Sequence, residues 1–251
     1  MTDTPRIHYR EYARGAPLRE PPLVLVHGAG GDLMHWPTDL RRLSGRRVYA
    51  VDLPGHGKSG GGPLPDIASY AEALHSWVEA EALPRFVLAG HSMGGAMAIE
   101  YALQHPGRLA GLTLLSTGAR LKVAPQILSG ILTDFDATVE LLVRWMYGEG
   151  SDPNLLRLGA RRLREVRPAV LHADFAACDA FDRRADVGRI DMPTLVLCGD
   201  ADVMTPLKSS GYLRDQVAGA QLVVIRGAGH MAVLQQPQAV AGHIEAFLAR
   251  L

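Results

Sequence analysis

A serine flanked by glycines, in Gly90-His91-Ser92-Met93-Gly94, is where residue type and spacing in this 251-residue chain first suggest chemistry. A serine hydroxyl is a weak nucleophile until a base takes its proton, and that base needs a carboxylate to orient its ring. Both follow in the order Ser, Asp, His: Asp202 in Gly199-Asp200-Ala201-Asp202, and His230 closing Gly227-Ala228-Gly229-His230. Such a set performs acyl transfer, with Ser92 attacking a carbonyl carbon, His230 moving the proton and Asp202 steadying the imidazole. The attack creates an oxyanion that needs at least two preorganised donors. The amide of Met93, next after the serine, is one. Ala29, in the small-residue loop His27-Gly28-Ala29-Gly30-Gly31, is expected to supply the other. Asp200 competes with Asp202, but an aspartate directly after a strand commonly shapes its turn, so the residue deeper in the loop is preferred. His27 is expected to be structural. Of the ten histidines, His230 alone lies just past a late strand in a glycine loop.

These side chains can cooperate only if the chain brings them to one rim. Short apolar runs bounded by turn residues occur at 22–28, 47–55, 85–90, 111–116, 194–200 and 221–227, and they predict buried parallel strands. Amphipathic stretches at 66–82, 93–104 and 235–251 predict crossover helices, and residues 7–13 alternate as an antiparallel edge strand does. Strand and helix in alternation specify an α/β fold with a mostly parallel twisted sheet flanked by helices. The serine falls between a strand, 85–89, and a helix, so its glycines mark a tight strand-to-helix turn of the nucleophile-elbow kind. The alternation fails from about 121 to 186, where helical patterns at 137–148, 153–167 and 169–181 are separated by Gly and Pro. An insertion there sits at the carboxyl end of the sheet, where open α/β folds bind ligands. The expected division is a core of 1–119 and 188–251 and a helical cap, or lid, of 120–187.

Composition removes other classes. Lys plus Arg and Asp plus Glu both total 26, so no basic footprint points to nucleic acid or to an anionic membrane. A hydrophobic fraction of 47% excludes disorder for the bulk of the chain. Cys178 and Cys198 cannot build a disulfide framework, and neither has zinc-ligand spacing. No HExxH or similar cluster occurs, so neither metal nor cofactor is expected. The polar N-terminus lacks a signal-peptide apolar stretch and no run of about 18 apolar residues appears, so a soluble cytoplasmic protein is expected. Gly57-Lys58-Ser59 ends like a phosphate-binding loop, but Asp52 stands where the required glycine would be, and Gly61, Gly62 and Pro63 stand where a helix should open. Arg157, Arg161, Arg162, Arg164 and Arg167 predict a solvated helix face ahead of an acidic-substrate site. Trp145, Met146, Tyr147 and Phe175 fit either acyl-pocket walls or the core of the helical insertion.

The segments His27–Gly31, Asp52–Ser59, Gly90–Gly95, Gly199–Asp202 and Gly227–His230 together resemble the α/β-hydrolase superfamily, in the form that carries a helical cap, over nearly the whole length. The resemblance implies Ser92 as nucleophile, Asp202 as acid, His230 as base and the Ala29 and Met93 amides as oxyanion donors. Serine at 92 separates the chain from haloalkane dehalogenases and epoxide hydrolases, which use aspartate. Ala96 stands where the menaquinone-pathway synthase of this superfamily has arginine, and Met231 where many C–C bond hydrolases have tryptophan. The expectation is hydrolysis of carboxylic esters of small to medium size through an acyl-enzyme on Ser92. Lactone (enol-lactone) hydrolysis and perhydrolysis reuse the same intermediate. From a different class, a ligand receptor on the same scaffold would bind without steady turnover. The expected partner is a small ester or lactone, and the expected state a monomer or homodimer.

Overall fold

The computed structural model describes residues 6–148 and 150–251, and a six-stranded sheet of order β2-β1-β3-β4-β5-β6 is its frame. The strands are β1 (His8–Val26), β2 (Ser44–Asp52), β3 (Phe86–His91), β4 (Leu109–Leu115), β5 (Thr194–Gly199) and β6 (Gln221–Ile225). β1 uses its two ends differently. From His8 opposite Asp52 to Ala13 opposite Arg47 the partners run in opposite senses, whereas from Leu23 opposite Val48 to Val26 opposite Val51 they rise together. The early part of β1 therefore forms the antiparallel edge, and its last four residues join the parallel series, pairing onward with Val87 to Gly90 of β3. β3, β4, β5 and β6 follow in parallel.

Sequence explains the central strands directly. Phe86–His91 is buried at every residue, as a strand covered on both faces must be. β6 departs from the expectation of a buried strand: four of its five residues are at least partly exposed, and Val224 is 39% exposed. It is the last strand, with a neighbour on one side only.

Helices cover both faces. α1 (Thr38–Arg41) follows β1, α2 (Ile67–Ala80) follows β2, and α3 (Met93–Gln104) follows β3. Asp66 starts α2 by accepting a hydrogen bond from Ser69 N at 2.7 Å, supplying a partner for an amide the first turn leaves open. Between β4 and β5 lie four helices, α4 (Pro125–Thr133), α5 (Phe135–Tyr147), α6 (Pro153–Arg164) and α7 (Pro168–Ala180); the helical patterns at 137–148, 153–167 and 169–181 match the last three, and α4 is additional to them. α8 (Leu207–Gln216), α9 (Ala232–Gln235) and α10 (Pro237–Leu248) complete the chain. One apolar core packs α2 and α3 on one sheet face, and a second packs α1 and α10 on the other. A third, built on Ile127, Ile131, Val139, Leu142 and Leu171, belongs to α4–α7 and takes in Met231 from the sheet domain. Among the described residues no helix is long and apolar enough to cross a membrane.

The β3–α3 junction is the tightest joint. A methyl group on Gly90 would run into the carbonyl of Gly94, and one on Gly94 would lie 2.5 Å from the carbonyl oxygens of Val26 and His27. Gly90→Ala is therefore expected to destabilise by about 3 kcal/mol or more, as overpacking a site closed by backbone does. Urea unfolding measures it, and an unchanged midpoint would show that the joint has slack.

Candidate active site

Ser92 has φ 54° and ψ −116° and is one of three non-glycine residues at positive φ among those described. Such a conformation costs on the order of 1–3 kcal/mol and persists only where its surroundings fix it. They do so here by hydrogen bonding. Ser92 N donates to Leu115 O at 2.9 Å, and Ser92 O accepts from Gly95 N at 2.9 Å, Ala96 N at 3.1 Å and Thr117 Oγ1 at 2.9 Å. Although Ser92 occupies the N-cap of α3, its hydroxyl makes no capping bond and is left available for other chemistry. Gly28 lets the first loop close on it, since a side chain there would reach 3.1 Å from Ser92 Cβ.

Asp202 and His230 meet as their sequence order suggests. His230 Nδ1 lies 2.9 Å from Asp202 Oδ2, and both residues are buried. Asp202 also accepts from the Met204 and Thr205 amides at 2.9 Å each and from Thr205 Oγ1 at 2.8 Å. Burial by itself would raise its pKa, but the facing imidazole and these donors outweigh burial and hold it at about 2. The carboxylate is then ionised throughout the neutral range, and its acceptor is aimed at Nδ1. That leaves Nε2 of His230 for the cavity. No hydrogen bond joins Nε2 to Ser92 among the described residues; the two side chains meet instead as walls of the same cavities.

Three contacts that no sequence spacing announces fix the His230 loop. His91 Nε2 donates to His230 O at 2.9 Å. Met231 N donates to Met146 O at 3.0 Å, at the end of α5, and Gln235 bridges Gly229 N to Tyr147 O with bonds of 2.8 and 2.9 Å. Asp200 takes the turn role expected of it, accepting from Gly227 N at 2.7 Å. His27 is likewise structural, with Nδ1 2.8 Å from Gly28 O and Nε2 accepting from Leu53 N at 3.0 Å. Burial lowers the pKa of His91 to about 3 and that of His27 to about 4, with neighbouring histidines adding to the effect, so both rings stay neutral beside the site.

The amides expected to serve the oxyanion belong to the residue that follows the serine and to the His27–Gly31 loop, which closes on Ser92 through Gly28. Met93 opens α3, where the first-turn amides lack helical partners and the dipole favours negative charge. Ala29 precedes Gly30, whose φ of 63° and amide bond to Asp174 Oδ2 at 2.8 Å set the loop's course. Asp174 is the unforeseen member. It comes from α7, is fully buried, and also accepts from His56 Nε2 at 2.7 Å and Tyr70 OH at 3.1 Å. A single carboxylate thus ties α7 to two loops of the sheet domain. The one signal in the sequence was an acid within the apolar run Ala173–Cys178 and its neighbours, which alone is not distinctive. For His56, burial opposes protonation, but the bond to Asp174 and its charge more than offset that and raise the pKa.

A cavity of 620 Å³ lies between α5–α7 and the sheet domain, lined by Ser92, His230, Ala29, Leu142, Leu163 and Val170 among others. Met146, Tyr147 and Phe175 line it while also belonging to, or packing on, the α4–α7 core, and Trp145 packs on that core without lining the cavity. Arg161 pairs with Glu165, and Arg164 with Asp136 and Glu140, on a solvated face, while Arg162 reaches Asp32 at the cavity rim.

Residues 23–243 match the alpha/beta hydrolase family, and the chain belongs to it. It is 32% identical over 244 residues to the dihydrolipoyllysine-residue acetyltransferase component of an acetoin cleaving system from Pseudomonas putida, covering 91% of this chain and 64% of that protein's length. It is 28% identical over 236 residues to a pimeloyl-[acyl-carrier protein] methyl ester esterase from Nitrosomonas europaea, covering 87% of this chain and 92% of that one. The solved structure of a thermophilic esterase superposes with a TM-score of 0.87 at 31% identity, over 99% of this chain and 95% of that one.

Asp174→Asn removes the charge that three donors face, and truncating one side of a buried pair costs about 3–5 kcal/mol. Because the folded state raises the pKa of His56, its stabilisation is complete below its ordinary value of 6.5 and is lost as pH rises through the raised value. The deficit of the variant in chemical unfolding should therefore be largest at acid pH and shrink on the alkaline side. A deficit of constant size across that range would show that His56 carries no charge in the folded state.

Proposed function

We propose that the protein is a serine hydrolase that cleaves carboxylic esters of small to medium size through an acyl-enzyme on Ser92. The observation that carries this reading is the buried Asp202–His230 hydrogen bond, opening onto a cavity that the strained, uncapped Ser92 also lines. With Nδ1–H donated to Asp202, His230 holds the tautomer whose Nε2 can accept a proton. Nε2 takes the proton of Ser92 as the hydroxyl attacks the acyl carbon. The carbonyl oxygen becomes an oxyanion that accepts from the Ala29 and Met93 amides. The carbonyl re-forms as the alkoxide leaves, taking the proton back from His230. Water then enters, gives a proton to Nε2 and attacks the acyl carbon, and as this second tetrahedral species collapses His230 returns that proton to Ser92 Oγ and the acid departs. Residues 120–187 act as the cap over this chemistry, their apolar side chains receiving the hydrocarbon part of the substrate. Esterases among both the relatives and the similar structures support ester bonds as the target.

A serine-directed phosphonate is expected to add one adduct mass to the wild type and none to Ser92→Ala; a label that persists in the variant contradicts the assignment. Asp202→Asn should lower kcat by about 10⁴-fold on a short p-nitrophenyl ester, because an amide at 202 favours the wrong imidazole tautomer. A loss confined to KM would place Asp202 in binding instead. A panel of esters and lactones of graded length, run on wild type and Ser92→Ala together, separates ester from lactone preference.

A further inference from the structure

A second cavity, of 560 Å³, shares Ser92 and His230 with the first, and Phe175, Cys178 and Met204 form the rest of their common wall. Its character differs. Arg120, Lys122, Arg184 and Lys208 line it, and among the described residues no acidic one does. Two carboxylates outside the lining answer these cations: Asp182 serves both Arg120 and Arg184, at 3.7 and 2.6 Å, and Asp179 lies 3.7 Å from Lys122. Lys208 has no ion pair among the described residues, and the cavity is left with an excess of positive charge in a chain whose total is zero.

Lys208 is also placed against its local interest. It is the second residue of α8, a ten-residue helix with no acid in its first turn, where the helix dipole disfavours a cation. A residue that contradicts its local setting without a structural partner marks a functional constraint. Only three lysines occur in the sequence, and two of them, Lys122 and Lys208, line this cavity. Positive charge in a concave, partly apolar cleft focuses its field on whatever anion enters.

We infer that the second cavity, rimmed by Arg120, Lys122, Arg184 and Lys208, is a subsite for a carboxylate carried on one half of the ester, while the apolar cavity takes the other half. The inference rests on the serine-hydrolase reading and names its substrate class. The ester bond lies over Ser92, where the two cavities join, and the carboxylate is held beyond it by charge.

The test compares nitrophenyl esters of matched acyl length. One pair, p-nitrophenyl hydrogen glutarate against p-nitrophenyl pentanoate, puts the carboxylate on the acyl half; a second, 3-carboxy-4-nitrophenyl pentanoate against p-nitrophenyl pentanoate, puts it on the alcohol half. In one of the two pairs the charged ester should have the higher kcat/KM, by about tenfold at low salt, and the ratio should fall toward one in 0.5 M NaCl. Lys208→Glu should cut the same ratio at least fivefold, and Lys208→Arg should retain it. No preference in either pair, or a preference that ignores both salt and Lys208→Glu, overturns the subsite. Ser92→Ala run on the neutral ester keeps the two ideas apart: residual turnover there would sink the hydrolase reading itself, whereas a wild type that turns over the neutral ester but prefers neither charged ester sinks only the subsite.

Discussion

The close approach of the β3–α3 turn to its neighbours is the constraint on which the site depends. Ser92 can hold φ 54° because Gly90, Gly94 and Gly28 have no side chains to block the approach, and because Leu115, Gly95, Ala96 and Thr117 take up its backbone groups. The same geometry does three things at once. It keeps the hydroxyl away from the α3 cap position, leaves the Met93 amide at the open end of the helix, and brings the His27–Gly31 loop against the serine. A relaxed turn would lose all three together.

The remaining groups are brought to that turn by interlocking contacts between the two layers of the molecule. The His230 loop is fixed from the sheet side by His91 and from the helical side by the Met146 and Tyr147 carbonyls. The Gly30 loop is fixed by Asp174 of α7. The His230 and Gly30 loops therefore take part of their position from helices of the 120–187 segment, so those helices help to shape the site. Charge is distributed to match: Asp202 is strongly held as the anion, and His27 and His91 are held neutral by burial.

Much of this was legible in the residues. The strand and helix alternation gave the fold class, and glycine spacing located the elbow, because both follow from local sterics and burial. The order Ser92, Asp202, His230 and the preference for Asp202 over Asp200 came from position relative to strand ends, and the structure joins Asp202 to His230 while giving Asp200 to Gly227. Long-range pairings were not legible. Asp174 meets Gly30 across 144 residues and Tyr70 across 104, and neither end carries a spacing that announces the other. The exposure of β6 follows from its place at the sheet edge, which strand patterns do not reveal. The second cavity is likewise illegible in the residues, since Arg120, Arg184 and Lys208 converge only after the chain has folded.

The central claim is that Ser92, held at the elbow, is the attacking group and that its intermediate is met by the two amides. A crystal structure of the phosphonate-treated protein tests it most directly. The account requires phosphorus bonded to Ser92 Oγ, a non-bridging oxygen about 3 Å from both Ala29 N and Met93 N, and His230 Nε2 within hydrogen-bond distance of the adduct. Phosphorus on any other side chain, or its oxygen turned away from both amides, would contradict the account.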